Sequence, residues 1–328
     1  FGAHLFSALL VFGLAGGAGA AGFSVGVPQT SYWYPRSRQG WALGAYAGIG
    51  NIGPGAFNLF IPALIVSVGL TYAYASWFVF MLVATVVYAS YAVDPYSFQL
   101  RAAGMKTEAA RARAAELGQE LFPSGNAWGS LKQAALTPRM WVLVALYTVS
   151  FGGGFTALAA WFPTYWQEYH RVGMVEAGAL AAAFVTYGSI IRMPGGSVAD
   201  KFGGEVVAAG SFFVMALGAL VLSFAVTPIA SMAGMAVVAT GMGVANAAIF
   251  KLVPSYVPDA IGGASGWIGG IGGLGTLAIL PTLGWATDTY GHVGYARGFL
   301  VFVALASISA VTSVILRFRT RPPSRLSN

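Results

Sequence analysis

An all-α membrane protein is the fold class this sequence predicts, on three grounds: its composition, the length of its apolar runs and the placement of its positive charges. Of 328 residues, 57% are hydrophobic and 8% charged, with a mean hydropathy of +0.71. A soluble domain has about a quarter of its residues charged. Within hydrocarbon each backbone polar group must be satisfied inside its own segment, so an apolar run of about twenty residues reads as a crossing helix. Nine such spans are expected, near residues 8–30, 41–68, 72–93, 141–166, 175–198, 206–226, 229–252, 264–286 and 296–316.

Lys and Arg are retained on the cytoplasmic side of a membrane. With nine alternating spans one side carries Arg36, Arg38, Arg101, Lys106, Arg111, Arg113, Lys132, Arg139, Lys201, Arg317, Arg319, Arg321 and Arg325; the other carries Arg171 and Arg297. That asymmetry predicts a multi-pass membrane protein with a cytoplasmic C-terminal tail. It also accounts for the net charge of +7 without a nucleic-acid partner.

"GIGNIGPG" contains G-x-G-x-x-G at Gly48, Gly50 and Gly53, and "GGIGGLG" repeats it at Gly270, Gly272 and Gly275. In a dinucleotide-binding unit this spacing is followed, about twenty residues on, by an acid for the ribose, yet no Asp or Glu occurs from Phe1 to Val93. Both motifs fall inside spans, where small residues let helices approach closely. They are therefore expected to be packing faces. The absence of cysteine and the three scattered histidines leave no thiolate or imidazole ligand set, so no metal or cofactor is expected. No His, Cys or acid lies at membrane depth to act as nucleophile or base, which argues against an enzyme.

The two glycine spans form a repeat: Pro35 pairs with Pro258, Gly40 with Gly263, and, with one residue of slippage, Gly44, Gly48, Gly50 and Gly53 with Gly266, Gly270, Gly272 and Gly275. Parallel repeats of this kind relate the two six-helix halves of major-facilitator transporters. If each glycine span is the fifth of its half, the nine spans correspond to helices four to twelve. The sequence then reads as a fragment beginning at the fourth of twelve helices, with a native nine-helix protein as the rival reading; it starts at Phe1 without a methionine. On this scheme residues 1–93 are the remainder of an N-terminal bundle (helices four to six) and residues 94–140 a cytoplasmic linker with an amphipathic helix in "TEAARARAAELGQELF". Residues 141–318 make a C-terminal six-helix bundle and residues 319–328 a cytoplasmic tail.

One charge is out of place. Arg192 lies eight residues before Asp200 in "IIRMPGGSVADKFGG", roughly 12 Å inward at 1.5 Å per residue, and no acid lies well inside any span. An intramembrane arginine faces a cavity or a partner, or its stem snorkels to the headgroups. A cavity-facing Arg192 would offer its planar fork to a small planar oxyanion. Lys251, at the end of its span, is expected to snorkel. Gly196, Asp200, Lys201 and Gly203 are expected to form an end-of-helix contact that couples helix movements. Asn51 could donate to an anion or bond across helices; Tyr147, at the head of the i, i+4, i+8 stripe with Phe151 and Phe155, could line a cavity or pack. The same alternatives hold for Asn246 and Phe250, one turn apart.

"GNIGPG", "GWIGGIGGLG", "GMGVANAAIFKLVP" and "IIRMPGGSVADKFGG" together resemble the nitrate/nitrite porter family of the major facilitator superfamily, over residues 13–317. The resemblance implies a twelve-helix carrier that moves nitrate or nitrite by alternating access, as a monomer in the lipid bilayer. It also implies an anion held between two arginines, of which Arg192 matches the one on helix eight; the counterpart would precede Phe1. Asn51 and Tyr147 match the family's helix-five asparagine and helix-seven tyrosine, and Phe250 a ring that packs on the anion. A clamp of positive and neutral donors favours exchange of one anion for another over proton coupling, which would call for a titratable group in the path. The readings that compete are a carrier of another small anion such as a monocarboxylate, and a non-transporting chain.

Overall fold

Apolar runs this long can satisfy their backbones only as helices, and helices are what the computed structural model contains. It describes residues 11, 22–23, 25–123 and 126–320, without the side chains of 54, 56–59, 61–63, 66, 319 and 320. Residues 25–33 form α1, α2 is Gln39–Tyr91, and three short helices follow, α3 (Tyr96–Ala102), α4 (Thr107–Glu116) and α5 (Ala127–Ala135). The remaining helical segments are α6 (Pro138–Tyr169), α7 (Met174–Phe202), α8 (Gly204–Phe224), α9 (Pro228–Tyr256), α10 (Pro258–Arg297) and α11 (Leu300–Phe318). No β-strand occurs among the described residues.

Seven described segments are long and apolar enough to cross a membrane, beginning with Ser67–Tyr91, so the count of nine is not established. Most of the first expected span lies outside the described residues. The second is helical, as the front of α2. At Gly69 the backbone takes φ 79° and ψ 163° inside α2, a conformation open to glycine and strained for residues with a Cβ. Tyr46 and Tyr88, on either side of Gly69, both reach α1 and the residues just before it: the Tyr46 hydroxyl donates to the Phe23 carbonyl at 3.3 Å and the Tyr88 hydroxyl to Gln29 Oε1 at 3.5 Å. Gly69 is thus a hairpin turn between two antiparallel helices, at the break expected between residues 68 and 72.

The expected linker helix over "TEAARARAAELGQELF" is shorter than its composition suggests. It ends at Glu116 because Gly118 takes φ 93°, and its amphipathic character is confined to the buried Ala110 and Ala114. The better-patterned helix is α5, capped by the Asn126 side chain, which accepts from the Gly129 amide at 2.7 Å. It clamps the start of α10: the Gly263 amide donates to Ser130 Oγ at 2.9 Å and the Trp267 indole to the Leu131 carbonyl at 3.0 Å.

The glycine motifs divide by position. A Cβ at Gly48 would lie 2.6 Å from the Ser189 carbonyl oxygen, one at Gly44 2.5 Å from that of Arg192, and one at Gly196 would overlap the Gly40 carbonyl. The front of α2 therefore packs on α7 backbone to backbone. In the second copy, a Cβ at Gly272 would lie 2.6 Å from the Tyr147 ring and one at Gly275 2.5 Å from the Thr148 carbonyl oxygen, so α10 packs likewise on α6. Gly50 and Gly270, expected in the same faces, meet nothing within 4 Å; they lie on the other side of their helices, since two residues of α-helix turn the chain by about 200°. Gly53 is half-buried.

At the end of α6 a polar cluster ties helices together. Ser231 Oγ lies 2.6 Å from the Tyr165 hydroxyl and 2.7 Å from His170 Nε2, and the Tyr169 hydroxyl donates to the Ala225 carbonyl at 3.0 Å. Burial, and secondly the neighbouring His292, hold the His170 imidazole below its ordinary value of 6.5.

Two predictions follow from this packing. Gly196→Ala forces a Cβ against backbone that cannot yield, with overpacking worth about 1–3 kcal/mol; the thermal midpoint in detergent falls, whereas Gly210→Ala, inside a helix with open space for a Cβ, does not lower it. Because His170 is harder to protonate when folded, the unfolded chain takes up the proton first as pH falls through 6.5 toward the folded value. Thermal stability therefore drops over that interval, and His170→Gln flattens the drop.

Candidate functional site

Helices α6, α7 and α9 converge on Arg192. Its residue is 0% exposed, and Nε, Nη1 and Nη2 have no hydrogen-bond partner among the described residues. Ridge and groove explain how an arginine comes to lie there: the Gly44 and Gly48 face of α2 presses on the Arg192 backbone, holding α7 in place, while the side chain turns toward the rings of α6. The guanidinium carbon lies 5.0 Å from the Phe155 ring centroid and 5.4 Å from that of Phe151, within cation–π range.

Those rings belong to a stack. Tyr147 and Phe151 lie 4.8 Å apart at 10°, and Phe151 and Phe155 5.5 Å apart at 8°. Residues Thr148–Ala157 are π-helical, a widened coil that recurs at functional sites, and the four-residue ring spacing survives within it. Phe250 on α9 meets Tyr147 edge-on at 5.0 Å. The Tyr147 hydroxyl is close enough to Arg192 for the two to interact electrostatically, yet it too is buried without a hydrogen bond that meets distance and angle among the described residues.

Asn246, one turn before Phe250, is 1% exposed. Its Oδ1 accepts from the Ser150 hydroxyl at 2.7 Å, and its Nδ2 has no partner among the described residues. Arg192, Tyr147, Asn246 and Phe250 thus share one region. Asn51 differs: its Nδ2 donates to the Ala47 carbonyl of its own helix at 2.7 Å, neither across helices nor into open space. Ser150 carries no sequence signal beyond being one of several serines in apolar helices; only the fold sets it opposite Asn246.

A second arrangement lies at the Asp200 end. The α2 N-terminus has no side-chain cap of its own, and Asp200 of α7 supplies one, its Oδ1 accepting from the Gly40 amide and its Oδ2 from the Trp41 amide, both at 2.8 Å. A carboxylate here also meets the positive end of the helix dipole. Lys251 does not snorkel: its Nζ pairs with Asp200 Oδ1 at 2.7 Å and donates to the Arg36 carbonyl at 2.7 Å. Lys201, beside Asp200 in sequence, is exposed and lies 5.3 Å from the Phe202 ring. The chain leaves α7 through Gly203, at φ 92°, where a side chain would strain the turn.

The carboxylate holds three partners and Lys251 only two, so the pair is asymmetric. Asp200→Ala lowers the thermal midpoint more than Lys251→Ala, because it strands a nearly buried ammonium and two helix-end amides. The double variant unfolds at least 0.5 kcal/mol closer to wild type than the sum of the single losses, a coupling of the size expected for residues in direct contact.

The groups around Arg192 among the described residues offer hydrogen-bond donors and positive charge. Comparisons with known proteins agree in kind. The family model of the Major Facilitator Superfamily matches residues 1–280 and 175–328. The chain is 27% identical to the "Probable nitrate/nitrite antiporter NarK1" of Thermus thermophilus over 323 residues, covering 92% of this chain and 69% of that protein. It is 27% identical to the "Nitrite extrusion protein" of Bacillus subtilis, with 92% and 70% covered. It is 26% identical to the "Probable nitrate transporter NarT" of Staphylococcus epidermidis, of which it spans 60%. Among solved structures, the Escherichia coli fucose:proton symporter FucP superposes with a TM-score of 0.57 at 15% identity, over 91% of this chain and 73% of that one, a likeness of fold alone. With its whole length inside the family model, this chain belongs to the Major Facilitator Superfamily and is a multi-pass membrane carrier, not an enzyme.

Proposed function

We propose that this carrier moves nitrate and nitrite across the bacterial inner membrane by alternating access, one anion in exchange for another. The observation that carries the proposal is Arg192, fully buried, with the Tyr147 hydroxyl nearby and none of its three guanidinium nitrogens in a well-formed hydrogen bond among the described residues. A charge so placed is costly unless something completes it. The flat ring stack of Phe151 and Phe155 beside it leaves a planar fork free to meet a planar oxyanion through paired hydrogen bonds. The relatives named for nitrate and nitrite support that choice of anion.

Exchange is favoured over proton coupling by the chemistry of the region. Tyr147, Asn246 and Arg192 are donors, and Asp200 is engaged with Lys251 and two amides away from the ring stack. A carrier whose path holds positive charge and no acid returns most easily when loaded. In this scheme residues 94–140 join the two bundles on the cytoplasmic side, where the basic residues collect and the C-terminal tail lies. The contact of Asp200 with Gly40, Trp41 and Lys251 is the latch that opens when the cavity faces the cytoplasm, with Gly196 and Gly203 permitting the close approach and the turn beside it.

The test is exchange of external nitrite for internal nitrate in proteoliposomes, using the protein in the length its source produces. Arg192→Lys keeps the charge and removes the fork, and exchange falls about 10- to 100-fold, the equivalent of the roughly 1.5–3 kcal/mol of a charge-assisted hydrogen bond. Nitrate and nitrite compete, while acetate and lactate do not. Unchanged exchange in Arg192→Lys overturns the assignment of Arg192, and equal competition by lactate overturns the choice of anion.

A further inference from the structure

Ser150 sits in the π-helical stretch of α6, fully buried, with two acceptors in reach: Asn246 Oδ1 on α9 at 2.7 Å and the Leu146 carbonyl at 3.1 Å. A serine has one hydroxyl hydrogen, and the shorter contact takes it. Bonded this way, the Asn246 amide keeps its oxygen against α6 and leaves both Nδ2 hydrogens uncommitted in a buried region, without an acceptor among the described residues.

An asparagine amide has a second solution. Turned by half a rotation, its Nδ2 donates to Ser150 Oγ, the serine gives its hydrogen to Leu146, and the amide oxygen becomes the free group. The two states present opposite polarity to whatever lies beside Asn246. Phe250 is one turn further along α9 and meets the Tyr147 ring edge-on at 5.0 Å, and the Tyr147 hydroxyl is likewise buried without a partner among the described residues. A free amide nitrogen there adds a donor for an anion; a free oxygen repels it.

Resting on the nitrate/nitrite reading above, we propose that Ser150 is a positioning residue for anion recognition: its hydrogen bond to Asn246 Oδ1 holds the amide with Nδ2 free to donate to the oxyanion bound at Arg192 and Tyr147. Ser150 touches no substrate. It acts by anchoring the Asn246 amide against α6, so that with the serine hydrogen spent on Oδ1 the Nδ2 end is the one on offer. Sequence gives no hint of this role, because the partners are 96 residues apart.

The experiment is nitrate–nitrite exchange in proteoliposomes by wild type, Ser150→Ala, Asn246→Ala and the double variant, with KM and kcat separated and thermal midpoints recorded for all four. Ser150→Ala raises KM about three- to tenfold, the weight of one neutral hydrogen bond, with kcat within about twofold. In the Asn246→Ala background, loss of Ser150 changes KM no further. If Ser150→Ala leaves KM unchanged, or raises it equally in both backgrounds, Ser150 only packs α6 on α9 and the proposal fails. If wild type itself does not exchange nitrate for nitrite, the functional reading fails first and the role given to Ser150 falls with it.

Discussion

Backbone contact between the front of α2 and α7 is the constraint on which the rest of the structure depends. At Gly40, Gly44 and Gly48 the nearest atoms of the opposing helix are backbone oxygens, so two helices meet without side chains between them. In lipid, where burying apolar surface gives little advantage, this close van der Waals contact is what holds helices together. It also fixes the register of α7, since Gly44 faces the carbonyl of Arg192 itself. A helix so seated cannot rotate to carry Arg192 out to the headgroups.

With that register set, the electrostatics sort by depth. Charges at the helix ends are answered: Asp200 by Lys251 and two amides, Glu168 by Arg171 at 3.5 Å. Deeper in, positive charge and neutral donors stand without acceptors among the described residues. Such an imbalance is expensive in low dielectric, and it persists in folded proteins where a ligand completes it. The ring faces of Phe151 and Phe155 next to the guanidinium offer it cation–π contact but no hydrogen-bond acceptor.

The repeat gives the same device twice, with different consequences. On α2 the glycine face receives a helix carrying the buried charge; on α10 it receives α6, with Gly272 against the Tyr147 ring and Gly275 against the Thr148 carbonyl. Each glycine face therefore abuts a helix that contributes to the Arg192 region. A pattern that in a soluble protein would cradle a pyrophosphate here removes bulk so that helices bearing polar groups can converge.

Sequence by itself determined the membrane class, the all-helical build, the break between residues 68 and 72 and the oddity of Arg192, because each depends on composition, run length or a single residue's cost in lipid. Where partners are remote, a sequence carries less of the answer. Lys251 looked like a snorkelling residue because Asp200 is 51 positions away in sequence, and charge pairing across helices leaves no mark in either segment. Helix α4 stops at Glu116 on account of a backbone turn at Gly118 that helix-forming composition does not foretell. Only the tertiary structure decided which glycines pack and which face open space, that Asn51 bonds within its own helix, and that Ser150 meets Asn246, since each depends on how one helix is rotated against another.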